Sequence, residues 1–231
     1  MRNKTLYACE ATWSEGDGVL AEWSMQPFFQ GLALLHGFRF LHRTFISGTE
    51  LRSLLKEEFP AGSATSKIVY IGAHGCGGRL SSGTSGRGIN LKTVADVACR
   101  DIEGVWVSAC EVGGSDNLRH FLTDGGAIWA GGYTCAIPWE AAMLIDFAVM
   151  NTVMSTRSVS SKDQAIELFA QALCSFDPDW QVGRIEGKPV RLRHAIRLEA
   201  RTQVQGSRVE DVTGQLLRKL GWEAIQERVS A

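Results

Sequence analysis

Residues 67–73 read KIVYIGA and lead into His74-Gly75, while residues 104–109 read GVWVSA and lead into Cys110-Glu111-Val112-Gly113-Gly114. Both runs are continuously apolar and rich in β-branched residues, the pattern of a strand covered on both faces of a parallel sheet. Strand and helix patterns alternate on either side of them. Upstream, 5–12 and 38–46 read as strands and 25–36 as a helix, with Pro27 in its first turn and Gly37 as its stop. Ser47 and Glu50 have capping-box spacing and open a helix that Pro60 closes.

Downstream, Asn90 caps a helix over 91–100, and Ser115 or Asp116 caps another that ends near 123. Residues 126–132 (GAIWAGG) read as a strand. Residues 139–154 form a helix apolar on nearly all sides, which predicts burial. Ser161 and Gln164 repeat the capping-box spacing and start a helix to about 174. In 190–200 (VRLRHAIRLEA) apolar and mostly charged residues alternate, which marks a half-exposed strand of antiparallel edge type. An amphipathic helix over 214–229 closes the chain. The alternation predicts an α/β fold with a mainly parallel sheet and helices on both faces.

The 231 residues suit one domain, here taken as 1–231. With 45% hydrophobic and 21% charged residues, a disordered chain is excluded. A net charge of −1 creates no global field for nucleic acid or an anionic membrane, so neither is expected as a partner. From 184 to 231 there are ten Lys and Arg against six Asp and Glu, a local +4 that reads as a solvated face. No pair among the six cysteines is spaced CxxC, which argues against a zinc knuckle or thioredoxin motif. No two histidines are spaced i, i+4, and neither a metal nor a cofactor is expected. His194, on the apolar face of its strand, reads as a core histidine.

No apolar stretch follows the first residues, so no signal peptide is expected. The most apolar window, 141–154, is too short to span a bilayer and contains Asp146 and Asn151. A reducing cytoplasm is the expected location. The Gly-rich stretch 75–88 contains no GK[ST] and is no P-loop; it reads as a mobile activation or substrate loop.

In parallel sheets, sites form beyond the carboxyl ends of the strands. His74 and Cys110 leave two buried strands there, and neighbouring strands lie only about 4.8 Å apart. A thiol is a weak nucleophile until it becomes thiolate; a nearby imidazole promotes that step and later protonates the leaving amine. The N–H groups of Gly75 and Cys110 could hold an oxyanion, and Gly113 and Gly114 would leave room for an extended peptide.

Strand-His-Gly followed by strand-Ala-Cys-x-x-Gly resembles the caspase-like cysteine peptidases, a group including caspases, metacaspases, gingipains, separase and CHAT-domain proteases. Here 36 residues separate His74 from Cys110, fewer than the roughly 50 of caspases. The context Ser-Ala-Cys-Glu-Val-Gly-Gly also departs from the caspase form. The succession over 125–175, with its Gly-Gly-Ala-Ile-Trp-Ala-Gly-Gly strand and Trp139-Glu140 pair, resembles a CHAT domain. The resemblance covers about 66–175. It implies a caspase-like three-layer sandwich with about six main strands, the last antiparallel.

It also implies a cysteine endopeptidase acting on protein or peptide through a His74–Cys110 dyad, possessing no metal, in a bacterial stress or antiphage defence pathway. Gating by a small nucleotide, a partner protein, calcium or self-cleavage belongs to the same expectation. Several such families cleave after Arg or Lys using an acidic pocket. Metacaspases place an Asp two residues before the nucleophile, where this chain has Ser108. Glu140, Glu111, Asp116 and Asp146 are the candidate carboxylates, with Glu140 first, although a carboxylate at a helix start also favours the macrodipole. Arg191, Arg193 and Arg197 share one strand face and read either as edge protection by charge or as an anion site. Cys76, near His74, reads as a loop residue or a redox-active thiol. The alternative to catalysis is a silent caspase-fold module binding a nucleotide signal or a partner protein.

Overall fold

The structure, a computed structural model, describes residues 4–12, 23–58, 66–81, 88–98, 102–114, 116–202 and 207–223. In its first half run β1 (Lys4–Ala11), α1 (Gln26–His36), β2 (Arg39–Phe45), α2 (Gly48–Ser53), β3 (Ser66–Gly72), β4 (His74–Cys76), β5 (Arg79–Ser81), α3 (Leu91–Ala98) and β6 (Gly104–Ser108). Then come α4 (Asn117–Thr123), β7 (Trp129–Tyr133), α5 (Trp139–Ser155) and α6 (Lys162–Leu173). The last part holds β8 (Gln181–Ile185), β9 (Lys188–Arg191), α7 (Leu192–Ala195), β10 (Ile196–Ala200), β11 (Glu210–Asp211) and α8 (Thr213–Leu220).

Seven strands form the central sheet in the order β11-β10-β7-β6-β3-β1-β2. The five from β2 to β7 are parallel; β10 runs antiparallel to β7 and β11 antiparallel to β10. The expected strand count of about six is met, with the two-residue β11 as the addition outside β10. Alternate residues feed two separate cores, as the period of two requires. Leu6, Ala8, Ile68, Tyr70, Trp106 and Trp129 pack under α1, α5, α6 and α8. Tyr7, Cys9, Val69, Ile71, Val105 and Val107 pack under α2, α3 and α4. This is the three-layer α/β arrangement.

Local signals explain the helix starts. Ser47 Oγ accepts from the Glu50 N–H at 3.2 Å, and the Glu50 carboxylate accepts from the Ile46 N–H at 2.8 Å. Ser161 Oγ likewise accepts from the Gln164 N–H at 3.3 Å, and Gln164 Oε1 accepts from the Ser160 N–H at 2.8 Å. Gly37 closes α1 in the left-handed region at φ 70°.

Four expectations need correction. The strand expected over 126–132 starts at Trp129; the Ala127 N–H bonds back to Phe121 O in α4, while Ile128 still bonds to Glu103 and Arg201 beside the ladder. The strand expected over 190–200 is broken into β9, α7 and β10. Leu192 N–H bonds to Trp180 O and Arg193 N–H to Pro178 O, which pulls the middle residues away from the sheet. His194 is therefore exposed on α7 and is no core histidine. Finally, α5 is not buried all round, since Leu144 and Phe147 are 50% and 38% exposed. The sequence reading also missed the β8–β9 hairpin, whose turn uses Glu186 and Gly187 at φ 50° and 79°. Of the expected mobile loop, 74–81 forms the β4–β5 hairpin and 82–87 lies outside the described residues.

Two glycines admit tryptophans across β6 and β7. Gly104 pairs with Trp129 and Trp106 with Gly131. A Cβ on Gly104 would fall 1.8 Å from the Trp129 ring, and one on Gly131 would fall 2.5 Å from the Trp106 ring. Gly104→Ala is expected to lower the unfolding free energy by about 1–3 kcal/mol through overpacking. Gly31→Ala, in α1 with nothing near the added methyl, should instead stabilise by roughly 0.5–1 kcal/mol. Urea denaturation of both variants checks the contrast.

Candidate active site

β3 and β6 are neighbours in register, with Gly72 opposite Ser108. The Ala73 N–H extends the ladder by bonding to Ser108 O at 3.1 Å. His74 and Cys110 each follow two residues later, at equivalent places beyond the carboxyl ends. Both line one cavity of about 370 Å³, together with Trp23, Met25, Tyr70 and Asp146 among others. That volume lies at the small end of the usual range for ligand pockets.

The Cys110 thiol is half-buried. Its Sγ accepts from the Ile137 N–H at 3.4 Å and lies 3.7 Å from Ile137 O. Glu111, the next residue, adopts the left-handed region at φ 62°, which is unfavourable for a residue with a Cβ. Two bonds hold it there: its N–H to Cys135 O at 3.1 Å, and its carboxylate to the Gly77 N–H at 3.2 Å. The second joins the Cys110–Glu111 turn to the tip of the β4–β5 hairpin, whose first residue is His74.

Gly75 lies directly against the Cys110 backbone. A Cβ there would fall 2.0 Å from Cys110 O and 2.6 Å from Cys110 N, so only glycine fits. Gly113 has a different place from the one expected. It packs beside β7, where an added Cβ would lie 3.1 Å from Gly132 O, and neither it nor Gly114 lines the cavity.

Of the four candidate carboxylates, only Asp146 lines the cavity. α5 brings Trp139, Ala142, Met143 and Asp146 to the cavity at helical spacing. Asp146 is 1% exposed. Its Oδ1 accepts from Trp106 Nε1 and from the Tyr133 hydroxyl, each at 2.6 Å, and its Oδ2 accepts from the Tyr70 hydroxyl at 2.9 Å. These donors come from β6, β7 and β3. Burial pushes the Asp146 carboxyl up to about 6, against the opposing pull of bonds from Ser108, Tyr133, Trp106 and Tyr70. All these partners are neutral, and no salt bridge reaches Asp146 among the described residues. The cavity therefore has a buried negative group at its base with no cation beside it.

The remaining candidates lie elsewhere. Glu140 is exposed in the first turn of α5, and Glu111 braces the hairpin. Asp116 is exposed at the start of α4, 3.8 Å from Arg197. The three arginines do not share one strand face. Arg191 and Arg193 meet Asp179 at 3.0 and 2.7 Å, while Arg197 meets Glu199 at 2.7 Å and Asp211 at 3.4 Å. Cys76 is exposed on β4. Among the described residues, no group of three or more His, Cys, Asp or Glu is placed to hold a metal ion.

Sequence reasoning missed the aromatic wall. The Trp139 Nε1–H donates to Trp23 O at 2.8 Å, and the two rings meet edge to face at 5.7 Å. Buried Glu10 fastens the same segment to the end of β1, accepting from the Met25 N–H at 2.8 Å and the Ser24 hydroxyl at 2.5 Å. His42 Nε2 is 2.7 Å from the same Glu10 carboxylate. A carboxylate inside the apolar run of β1 was the one available signal.

No protein-family model matches the sequence, and no curated protein matches it. Among solved structures, the chain is similar to a secreted C11 cysteine protease from Bacteroides thetaiotaomicron in complex with an irreversible peptide inhibitor. The TM-score is 0.54 at 11% identity, over 87% of this chain and 66% of that one. It is also similar to the structure of a secreted C11 cysteine protease of that organism called iotapain, with a TM-score of 0.53 at 10% identity over 85% and 66%. The chain thus spans slightly less than two thirds of the length of these structures.

Because the folded Asp146 carboxyl is raised above its ordinary 3.8, its contribution to stability is fully present below about pH 4. It is lost as pH rises through about 6. Relative to Asp146→Asn, the wild-type protein should lose about 2–3 kcal/mol of unfolding free energy between pH 4 and pH 8. Urea titrations of both proteins at the two pH values give that difference, in which the constant effect of the amide cancels. The architecture that creates this site, a mostly parallel sheet between two helical layers with its last strands reversed, is the caspase-like fold of the C11 cysteine proteases.

Proposed function

We propose that the chain is a cysteine endopeptidase of caspase/CHAT type, a single peptidase domain over 1–231, that cleaves after basic residues. The observation that carries this reading is the shared cavity. His74, Cys110 and the buried, unpaired Asp146 all line it.

In the proposed reaction His74 accepts the Cys110 thiol proton and Sγ attacks the scissile carbonyl. The N–H groups of Gly75 and Cys110 receive the developing oxyanion, a role supported by the close approach of Gly75 to the Cys110 peptide. His74 then protonates the leaving amine, and water hydrolyses the thioester. A Lys or Arg side chain at P1 enters between the apolar walls and brings to Asp146 the positive charge it lacks. Asp146 then stands beside Ser108, the position where metacaspases carry their own carboxylate. This assigns the P1 role to Asp146 ahead of Glu140, Glu111 and Asp116.

The CHAT-like branch, supported by the motif order of the sequence, and a gated role in bacterial stress or antiphage defence, carried by that resemblance, belong to the same proposal. A cytoplasmic location is supported by the free thiols of Cys9, Cys76, Cys110, Cys135 and Cys174. No helix among the described residues is long and apolar enough to cross a membrane.

Cleavage of fluorogenic peptides with Arg or Lys at P1 tests the reading. Cys110→Ala should abolish turnover, and equal activity in the two proteins sinks the assignment. Asp146→Asn should lower kcat/KM for basic P1 by about 10- to 100-fold, the worth of one buried charged interaction. In the wild-type protein KM for these peptides should rise as pH falls through about 6, as Asp146 becomes neutral.

A further inference from the structure

We propose that a second cleft, lined by Arg119, Arg201 and Arg208, binds a small anion carrying more than one phosphate group. The cleft has a volume of about 430 Å³ and is completed by Leu122, Thr123, Ser207 and Val209. It belongs to the end of the sheet opposite the dyad. β10 runs antiparallel to β7, so that Ala200 pairs with Trp129, the first residue of β7, and Arg201 follows directly.

The charge balance of these three arginines differs from that of every other arginine considered above. Arg191 and Arg193 are paired to Asp179, and Arg197 is paired to Glu199 and Asp211. Arg208 is exposed and has no hydrogen bond or ion pair among the described residues. Arg201 gives Nε and Nη2 to the carbonyls of Ala127 and Gly126, at 2.9 and 2.6 Å, and meets no carboxylate among the described residues. Among the described residues the Arg119 guanidinium meets one carboxylate, Glu199, at 3.5 Å through Oε2, while Arg197 holds Oε1 of the same group at 2.7 and 3.1 Å. The Arg119 Nε is buried with no hydrogen-bond partner among the described residues.

Among the described residues, no Asp or Glu lines the cleft. Three guanidinium groups around one cavity, with donors left over, match an oxyanion of high charge, since each planar fork can meet two oxygens of a phosphate. A single carboxylate would leave most of that charge unmatched. Inorganic pyrophosphate carries the required chemistry in its simplest form.

Isothermal titration calorimetry of the full chain with pyrophosphate, at constant ionic strength against sulfate, tests the proposal. Saturable binding is expected with pyrophosphate and not with sulfate. Arg208→Glu, at an exposed position without contacts, should fold normally and weaken binding by about tenfold or more. Arg119→Gln should weaken it similarly, whereas Arg191→Gln and Cys110→Ala should bind as the wild-type protein does. The Cys110→Ala arm keeps this result separate from the peptidase reading. Absence of saturable binding, or equal affinity in Arg208→Glu and the wild-type protein, overturns the proposal.

Discussion

The in-register pairing of β3 with β6 is the constraint on which the site rests. Gly72 opposite Ser108 fixes where the two chains leave the sheet. A one-residue slip would turn every side chain of one strand to the other face. Here a slip is opposed from both sides, because Tyr70 and Trp106 belong to one core and Ile71 and Val107 to the other. Beyond the last ladder bond the sheet no longer directs the chains, and closer contacts take over. Gly75 lies on the Cys110 peptide, and Glu111 reaches the hairpin tip. The strained backbone of Glu111 is thus held by bonds to two different elements, which makes the direction of the Cys110–Glu111 turn a property of the fold.

Asp146 shows how a costly group can be kept. Burying a carboxylate far from water is unfavourable by several kcal/mol unless bonds replace its hydration. Three strands contribute donors to it, and α5 carries the acceptor, so the helix is anchored to the centre of the sheet by polar as well as apolar contacts. Hydrogen bonds from neutral groups stabilise the charge only in part, and the carboxyl is still held well above its ordinary range. In the proposed reading this residual instability favours a cationic P1 side chain, as pairing of a desolvated charge is worth more than pairing of a hydrated one.

Much of this was legible in the sequence. The buried strands 67–73 and 104–109 carried the topology, and the Ser47 and Ser161 capping boxes located two helix starts through purely local chemistry. The His74 and Cys110 positions followed from the strand ends. The choice among carboxylates was not legible. Glu140 and Asp146 lie on one helix, and what separates them is whether the side chain meets solvent or the hydroxyls of Tyr70 and Tyr133, a tertiary fact. The arginine-rich segment misled for a similar reason. Its alternation over 190–200 is genuine, but backbone bonds from Leu192 and Arg193 to the preceding loop insert a helical turn. The neighbours that leave Arg119 and Arg201 underpaired lie roughly 75 to 80 residues away in the chain.

The glycines of β6 and β7 link the core to the site. Glycine inside a strand ordinarily weakens it, for want of a side chain to pack. In this sheet the missing side chain is supplied from the adjacent strand, because the Trp106 indole occupies the space over Gly131 and the Trp129 indole that over Gly104. A ring lying over a neighbouring strand cannot also project straight up from its own. Trp106 is therefore turned along the sheet surface, where its Nε1–H meets Asp146 at 2.6 Å and its ring meets Tyr133 edge to face at 5.6 Å. A larger residue at 131 would displace that ring and remove one of the donors on Oδ1. Gly131, which in the sequence reads only as part of a family-like strand, acts physically at a distance: it leaves the room that the indole bonded to Asp146 occupies.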